Sequence, residues 1–424
     1  MLDDRFISTT IGIDFSGDYT QVSVFDEEYT PVSMSVIKNE QRYLIPTACF
    51  VDEKTGHWYI GDEAIARSKN SPGELLMDIP KLVMTKSRFE IFENIFDNAT
   101  IVSIFMSKIL ETVEINSDVK EVSNIVVSIA ESDRSNIEVI YNAFEKMNFP
   151  SSNIRVISHN ESFAYYVCSQ KSDIWVNNVL MLNFRNGTLV ARTLYTNSKR
   201  GPHIITVTEE TYPSVTLSMI KDDSENADVA LAQILDLIFR RNVYSACFLI
   251  GEAFNDGDKL KRSMHLLCAN KRVFKGHNLI VKGAGYAARE IYGEQTINTV
   301  LLCKGRTRLD IGLMVLYEGR ERQVVLSPAG TNWYEASEKV ECIVDRVSAC
   351  KFAITNPLTK ITNYVFLNID EFPQRGNKQT RIEIEVSYKN EETLLLNVTD
   401  KGFGEFFEAS GMEVKKEIRV WDYL

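Results

Sequence analysis

Two rhythms of apolar and polar positions divide the chain. Up to about residue 296, short alternating runs take turns with segments whose apolar residues recur at helical spacing. Residues 11–15, the turn Ser16-Gly17-Asp18 and residues 21–25 predict a hairpin with a polar tip. Strands are expected at 47–51 and 57–60. Ile101, Ile104, Phe105, Ile109, Leu110 and Val113 recur at helical spacing and lead into a strand at 125–129. A helix is expected between Arg134 and Met147, with Pro150 closing the unit, then a strand at 154–157 and an aromatic helix at 161–168. A second hairpin is expected from 179–182, the turn Phe184-Arg185-Asn186-Gly187, and a return strand at 188–192. Each hairpin carries an acid or amide at the end of its first strand, Asp14 or Asn183, so the two halves read as a coarse internal duplication. A helix at 229–240, strands at 247–250 and 278–281, and a small-residue helix at 283–288 complete this part.

Beyond it, residues 300–303 are an isolated apolar run. Alternating segments follow at 311–316, 323–326, 340–344, 365–369, 381–388 and 394–398, separated by turn residues. That pattern predicts an all-β sandwich. Phe403-Gly404-Glu405-Phe406-Phe407 reads as a final strand on that sheet or, alternatively, as an aromatic partner site. The expected domains are residues 1–296 and 305–424, with an interdomain linker at 297–304.

A length of 424 residues supports two domains, and 44% hydrophobic with 25% charged residues is an ordinary globular mixture. A net charge of -11 argues against a general nucleic-acid binder and against attraction to anionic membranes. No apolar stretch approaches the roughly 18 residues of a membrane helix, and Met-Leu-Asp-Asp-Arg at the start has no signal-peptide pattern. The seven cysteines are scattered and never spaced C-x-x-C, which points to reduced thiols and a cytoplasmic setting. P-loop, zincin, nucleophile-elbow and zinc-finger spacings are absent, and the five histidines are dispersed. Gly283-Ala284-Gly285-Tyr286-Ala287-Ala288 fits G-x-G-x-x-A, for which tight helix packing is the reading preferred over a dinucleotide site.

The strongest candidate chemistry is the pair of hairpin tips. Turns at strand ends can cradle phosphate oxygens through backbone N–H groups, and an acid there can hold magnesium through water. At this point the chain resembles the DnaK-type (heat-shock 70 kDa) chaperones of the actin-like ATPase superfamily. Gly12-Ile13-Asp14-Phe15 is similar to the first phosphate strand, and residues 183–188 to the second phosphate loop. Leu249-Ile250-Gly251 resembles the adenosine-motif strand, and Val300-Leu301-Leu302-Cys303 the interdomain linker. Residues 366–369, 373–376 and 382–386 resemble late strands of the peptide-binding β domain. The resemblance implies an α/β actin-like ATPase fold, two lobes around a cleft, followed by an all-β sandwich domain.

It also implies roles. Asp14 would place Mg, Lys81 would stabilise a transferred phosphoryl, and Glu161 (or Asn160, one residue earlier) would orient water. Asp14, Ser16, Gly17, Asn183, Arg185, Gly187, Thr188, Gly251 and Glu252 would line a site for ATP or ADP with Mg. Leu313, Val315, Leu326, Trp333 and Tyr334 would hold a protein partner or extended peptide, or else form sandwich core. The departures point the other way. Asp18 brings a carboxylate where the family has hydroxyls, Asn183 replaces an acid, Arg185 and Asn186 replace glycines, and Glu252 replaces a glycine. The segment between Arg192 and Cys247 is short for the adenine-side subdomain, and with the chain ending at Leu424 no helical lid is expected. The expectation is therefore a DnaK-like protein-binding or scaffolding module with a degenerate nucleotide site and little or no hydrolysis. A slow Mg-ATP-dependent chaperone-like ATPase and an actin-like scaffold or complex subunit are the alternatives.

Overall fold

The computed structural model describes residues 4–37, 40–197 and 203–424; positions 1–3, part of the start searched above for a signal, lie outside the described residues. The chain is mixed α/β with a C-terminal all-β region, and it divides into two compact units, Met1–Asn298 and Thr299–Leu424. The boundary falls within the segment expected as a linker, where Thr299–Leu302 forms a strand.

In the first unit, β1 (Thr10–Ser16), β2 (Tyr19–Phe25) and β3 (Pro31–Ser33) form an antiparallel meander. Helix α1 (Asn98–Asn116) leads to β4 (Asn124–Ile129), which lies parallel to β1. Helix α2 (Arg134–Lys146) leads to β5 (Ile154–Ser158), parallel to β4, and α3 (His159–Cys168) follows. Asp97, Asp133 and Ser158 cap the three helices, and Ser158 with Glu161 makes a full capping box.

The second half repeats this plan. β6 (Asn178–Arg185), β7 (Thr188–Asn197) and β8 (His203–Thr216) form the meander. Helix α4 (Ser224–Arg241) leads to β9 (Tyr244–Ile250), parallel to β6. Helix α5 (Lys261–Cys268) leads to β10 (Arg272–Gly276), parallel to β9, and α6 (Leu279–Tyr292) closes the unit. The strand orders are β5-β4-β1-β2-β3 and β10-β9-β6-β7-β8, so each half reads 3-2-1-4-5 from its own first strand. The duplication expected from the two hairpins is thus one of topology.

Residues 278–281, expected as a strand, instead enter α6, and the strand lies earlier, in β10. A short apolar run cannot by itself distinguish the two. The glycines of the G-x-G-x-x-A segment are packing positions inside that helix. A Cβ at Gly283 would lie 2.0 Å from the Ser162 carbonyl oxygen of α3, and one at Gly12 of β1 would lie 2.5 Å from the Gly285 nitrogen. Between β3 and α1, a three-stranded sheet (Cys49–Asp52, Trp58–Ile60, Gly73–Leu76) packs Phe50 and Ala48 against Ala64 of the helix Gly61–Ser68.

The second unit holds β11 (Asp310–Tyr317), β12 (Arg320–Ser327), β13 (Glu338–Ile343) and β14 (Ala349–Thr355). They are followed by β15 (Thr362–Asn368), β16 (Arg381–Asn390), β17 (Thr393–Asp400) and β18 (Glu413–Arg419). Two four-stranded antiparallel sheets result, β12-β11-β14-β15 and β13-β16-β17-β18. Residues 381–388 of β16 and all of β17 alternate between half-buried and buried, as strands with one covered face do. The aromatic segment 403–407 is not a final strand. It sits in the loop between β17 and β18, with Phe406 86% exposed, while the charged segment Glu413–Arg419 supplies the edge strand.

The seven cysteines are thiols, not disulfides, and burial pushes those of Cys168, Cys247 and Cys350 up to about 12. Among the described residues, no helix is long and apolar enough to cross a membrane.

Candidate functional site

The two hairpins turn their tips toward one cavity of about 330 Å³ in the first unit. At the first tip Gly17 has φ 64°, so the chain reverses between the paired residues Ser16 and Tyr19. Thr47 anchors this tip, donating from its hydroxyl to the Gly17 carbonyl and from its N–H to the Asp18 carbonyl at 2.9 Å. The Ser16 hydroxyl donates to Asp14 Oδ1 at 2.5 Å. His159 Nε2 lies 3.1 Å from the same oxygen, its side chain only 8% exposed. That contact places the first residue of α3 against the end of β1.

The second tip is a two-residue turn in which Asn186 and Gly187 both have positive φ, 50° and 75°, as the right-handed twist of a tight hairpin requires. The strand behind it carries a charge into the interior. Arg192 of β7 is completely buried. Its Nε donates to Asn160 Oδ1 at 2.8 Å and its Nη1 to Asn183 Oδ1 at 2.8 Å, while Nη2 pairs with Glu209 Oε2 at 2.6 Å. Register accounts for the last contact, since Glu209 of β8 sits directly opposite Arg192. Glu209 is shared, because its other oxygen lies 3.0 Å from Arg185 Nη2, and Arg185 Nη1 reaches Glu131 at 3.3 Å. A chain of alternating charge, Arg192–Glu209–Arg185–Glu131, therefore crosses from the second half to the first. Burial pushes the Arg192 guanidinium down from its ordinary value, and Glu209 beside it works in the opposite direction. Asp14 also acts on it electrostatically.

Of the residues expected to bind nucleotide, Asp14, Ser16, Gly17, Asn183 and Arg185 line the cavity, as do Asp18 and Lys81. Lys81 is exposed on the short helix Ile79–Thr85. Gly187, Thr188, Gly251 and Glu252 are outside the lining. Glu161 is buried and also outside it: its Oε2 accepts from the Ser158 N–H at 2.8 Å and from the Ser158 hydroxyl at 3.0 Å, so its carboxylate serves the helix cap. In the β region, Leu313, Leu326 and Trp333 are buried, and Val315 and Tyr334 are half-buried. The exposed apolar side chains there are others, including Leu316, Tyr317, Val325, Tyr364 and Phe366.

Sequence reasoning passed over Arg192, Glu209 and His159. The available signal was Arg192 itself, a lone charge after Leu189-Val190-Ala191 in a strand of buried spacing. Such a charge must find a partner or stay out of the core.

Asn183 Oδ1, at the expected metal side of the second tip, is already an acceptor for a guanidinium. Among the described residues no three His, Cys, Asp or Glu side chains are grouped to hold a metal ion.

Residues 30–304 match the C-terminal model of a family of unknown function, DUF5716, and residues 306–420 match a domain of unknown function, DUF8552. A comparison with curated proteins returned no match.

Proposed function

The chain belongs to the DUF5716 family, and from its geometry we propose that it is a DnaK-like protein-binding or scaffolding module whose actin-like α/β unit has lost nucleotide turnover. The observation that carries this reading is Arg185. A glycine at that tip would leave backbone N–H groups open to phosphate, whereas here a side chain stands in the cavity wall, paired with Glu131 and Glu209. The carboxylates of Glu131, Asp14 and Asp18, which line the same cavity, oppose a polyanion there. The repeated 3-2-1-4-5 order with facing hairpin tips supports the actin-like reading of the fold. The exposed apolar residues of the first β sheet, Val325, Tyr364 and Phe366 among them, support a protein or extended-peptide partner for the second unit.

Asp14 and Lys81 do line one cavity, which keeps a slow Mg-ATPase as the competing outcome of a direct test. The purified 424-residue chain is titrated calorimetrically with Mg-ATP and with ADP, and phosphate release is followed in parallel. The expected result is no turnover above an Asp14→Ala control. Steady-state hydrolysis that Asp14→Ala abolishes would overturn the proposal.

A further inference from the structure

We propose that the β unit binds a second copy of this chain, the Phe406 loop of one copy seating on the open face of the first β sheet of the other. The inference names a partner for the protein-binding reading above and rests on it.

The loop is built to hold an aromatic ring out. Gly402 and Gly404 have φ 64° and 60°, and a Cβ at Gly402 would collide with the Phe407 carbonyl oxygen, so this turn requires glycine. The Phe403 N–H donates to the Phe407 carbonyl at 2.8 Å and closes the loop around Gly404, Glu405 and Phe406. Asp400 accepts from the Gly402 and Ser410 N–H groups, and Arg375 Nη2 donates to the Glu408 carbonyl at 2.9 Å. Phe406 is nonetheless 86% exposed, so it does not rest on any surface of its own copy. A loop fastened in this way has already met the ordering cost that binding would otherwise impose, and a pre-ordered aromatic is the usual anchor of an interface. Glu405 and Glu408 flank the ring. Both are exposed, and neither carboxylate has an ion-pair partner among the described residues.

The complementary surface lies in the same unit. Strand register sets Val325, Gly312, Ala353 and Tyr364 in one row across β12, β11, β14 and β15. Phe366, two residues beyond Tyr364, is on the same face. The other face is the core side, where Leu313, Phe352, Val365 and Leu367 are buried. On the open side Tyr364 is 50% exposed and Phe366 54%. The charge beside these two rings is opposite to that of the loop. Lys351 Nζ stands 4.5 Å from the centroid of the Tyr364 ring, and Lys416 Nζ lies 3.5 Å from the Phe366 carbonyl oxygen. Lys351 is paired with Glu321 at 2.9 Å, whereas Lys416 makes no ion pair among the described residues and is the cation left for Glu405 or Glu408. Phe406 against Tyr364 and Phe366 would bury three exposed rings together, with ammonium meeting carboxylate at the rim. The net charge of -11 opposes this little, because residues 299–424 hold 17 Lys and Arg against 19 Asp and Glu.

Sedimentation velocity tests the proposal on the 424-residue chain between about 1 μM and 100 μM. Beside it run Phe406→Ser, the double variant Tyr364→Ser/Phe366→Ser, and an equimolar mixture of the two, with thermal melts to establish that each is folded. The unaltered chain should associate as concentration rises, and each variant alone should associate about tenfold more weakly or worse. The mixture should regain a two-chain species, because one partner keeps the loop and the other keeps the face. Lys416→Glu should also weaken association, and adding Glu405→Lys/Glu408→Lys to it should recover part of the loss. These charge variants alter only exposed side chains and decide the matter should an aromatic variant fail to fold. The inference is overturned if the unaltered chain stays monomeric throughout, which is also the result expected if another protein occupies either surface. It is equally overturned if the loop or the face variant associates like the unaltered chain, or if their mixture stays monomeric. None of these outcomes reports on ATP turnover, so failure here is distinguishable from failure of the proposed function.

Discussion

Arg375 and Arg192 are both buried guanidiniums, one in each unit, and the atoms around them differ in kind. Arg375 meets a single carboxylate in the two-pronged manner, Nη1 to Asp400 Oδ1 at 2.6 Å and Nη2 to Oδ2 at 2.9 Å. Asp400 is then completed by the Gly402 N–H at 3.1 Å, the Ser410 N–H at 2.9 Å and the Ser410 hydroxyl at 2.6 Å. Arg192 instead divides its donors between two neutral amides and a carboxylate that it shares with Arg185. The electrostatic consequence is opposite. The hydrogen bond to Asp400 pushes the Arg375 guanidinium up from its ordinary value, while burial pushes that of Arg192 down. A closed pair with every lone pair used is a fastening, here of the loop that displays Phe406. An open network at a cleft, in which Glu209 serves two guanidiniums, has no such closed pair.

The comparison can be broken most directly at the closed pair. Asp400→Ala leaves Arg375 buried without its partner and should cost the β unit about 3–5 kcal/mol, read from chemical denaturation of the full chain by tryptophan fluorescence. An unchanged transition would show that the pair fastens nothing. A subtler version concerns acid. Arg375 first, then Ser410 and Gly402, hold the Asp400 carboxyl well below the usual carboxylate range. Its contribution is therefore complete above the unfolded value of about 4. As pH falls below that, the unfolded chain takes up the proton first, and the stability is lost as pH approaches the depressed folded value. Asp400→Asn should flatten that part of the stability–pH curve, and an equal acid slope in both proteins would contradict the assignment. The smallest effect belongs to the open network's outer link. Arg185 is partly exposed and pairs with a Glu131 that is 44% exposed, so Glu131→Ala, which leaves the Arg185–Glu209 pair in place, should cost only about 0.2–1 kcal/mol. Whatever it costs should shrink in high salt. A salt-independent loss of several kcal/mol would mean that the Arg185–Glu131 link is as much a part of the buried core as Arg192.

Much of the α/β unit was legible along the chain because its signals are local. Asn186-Gly187 between alternating strands specifies a tight hairpin through its own backbone preferences. The apolar face of α1 repeats at helical spacing whatever it packs against. Both hairpin tips, and the placing of Asp14, Asn183 and Arg185 at them, follow from such local rules. Where the local rule was ambiguous, the reading failed. The run Leu279-Ile280-Val281 suits a strand or a buried helix, and only the close approach of Gly283 and Gly285 to α3 and β1 makes it a helix. Strand β14, with Lys351 inside an apolar run, and the charged edge strand β18 carried too little contrast to be read at all. Leu313, Leu326 and Trp333 were legible as apolar, with partner contact and sandwich core both open, and the covered face of the sheet decides for core.

By itself the sequence determined the two-part organisation, the two hairpins and the unusual residues at their tips, because turn chemistry and periodicity act over a few neighbouring positions. Tertiary structure alone decided that both halves share one strand order and that Glu161 caps a helix rather than facing the cavity. It alone brought Asn160, Asn183 and Glu209 around Arg192. Those contacts reach across up to 32 residues, from Asn160 to Arg192, and a charge in the interior selects its partners by distance in space.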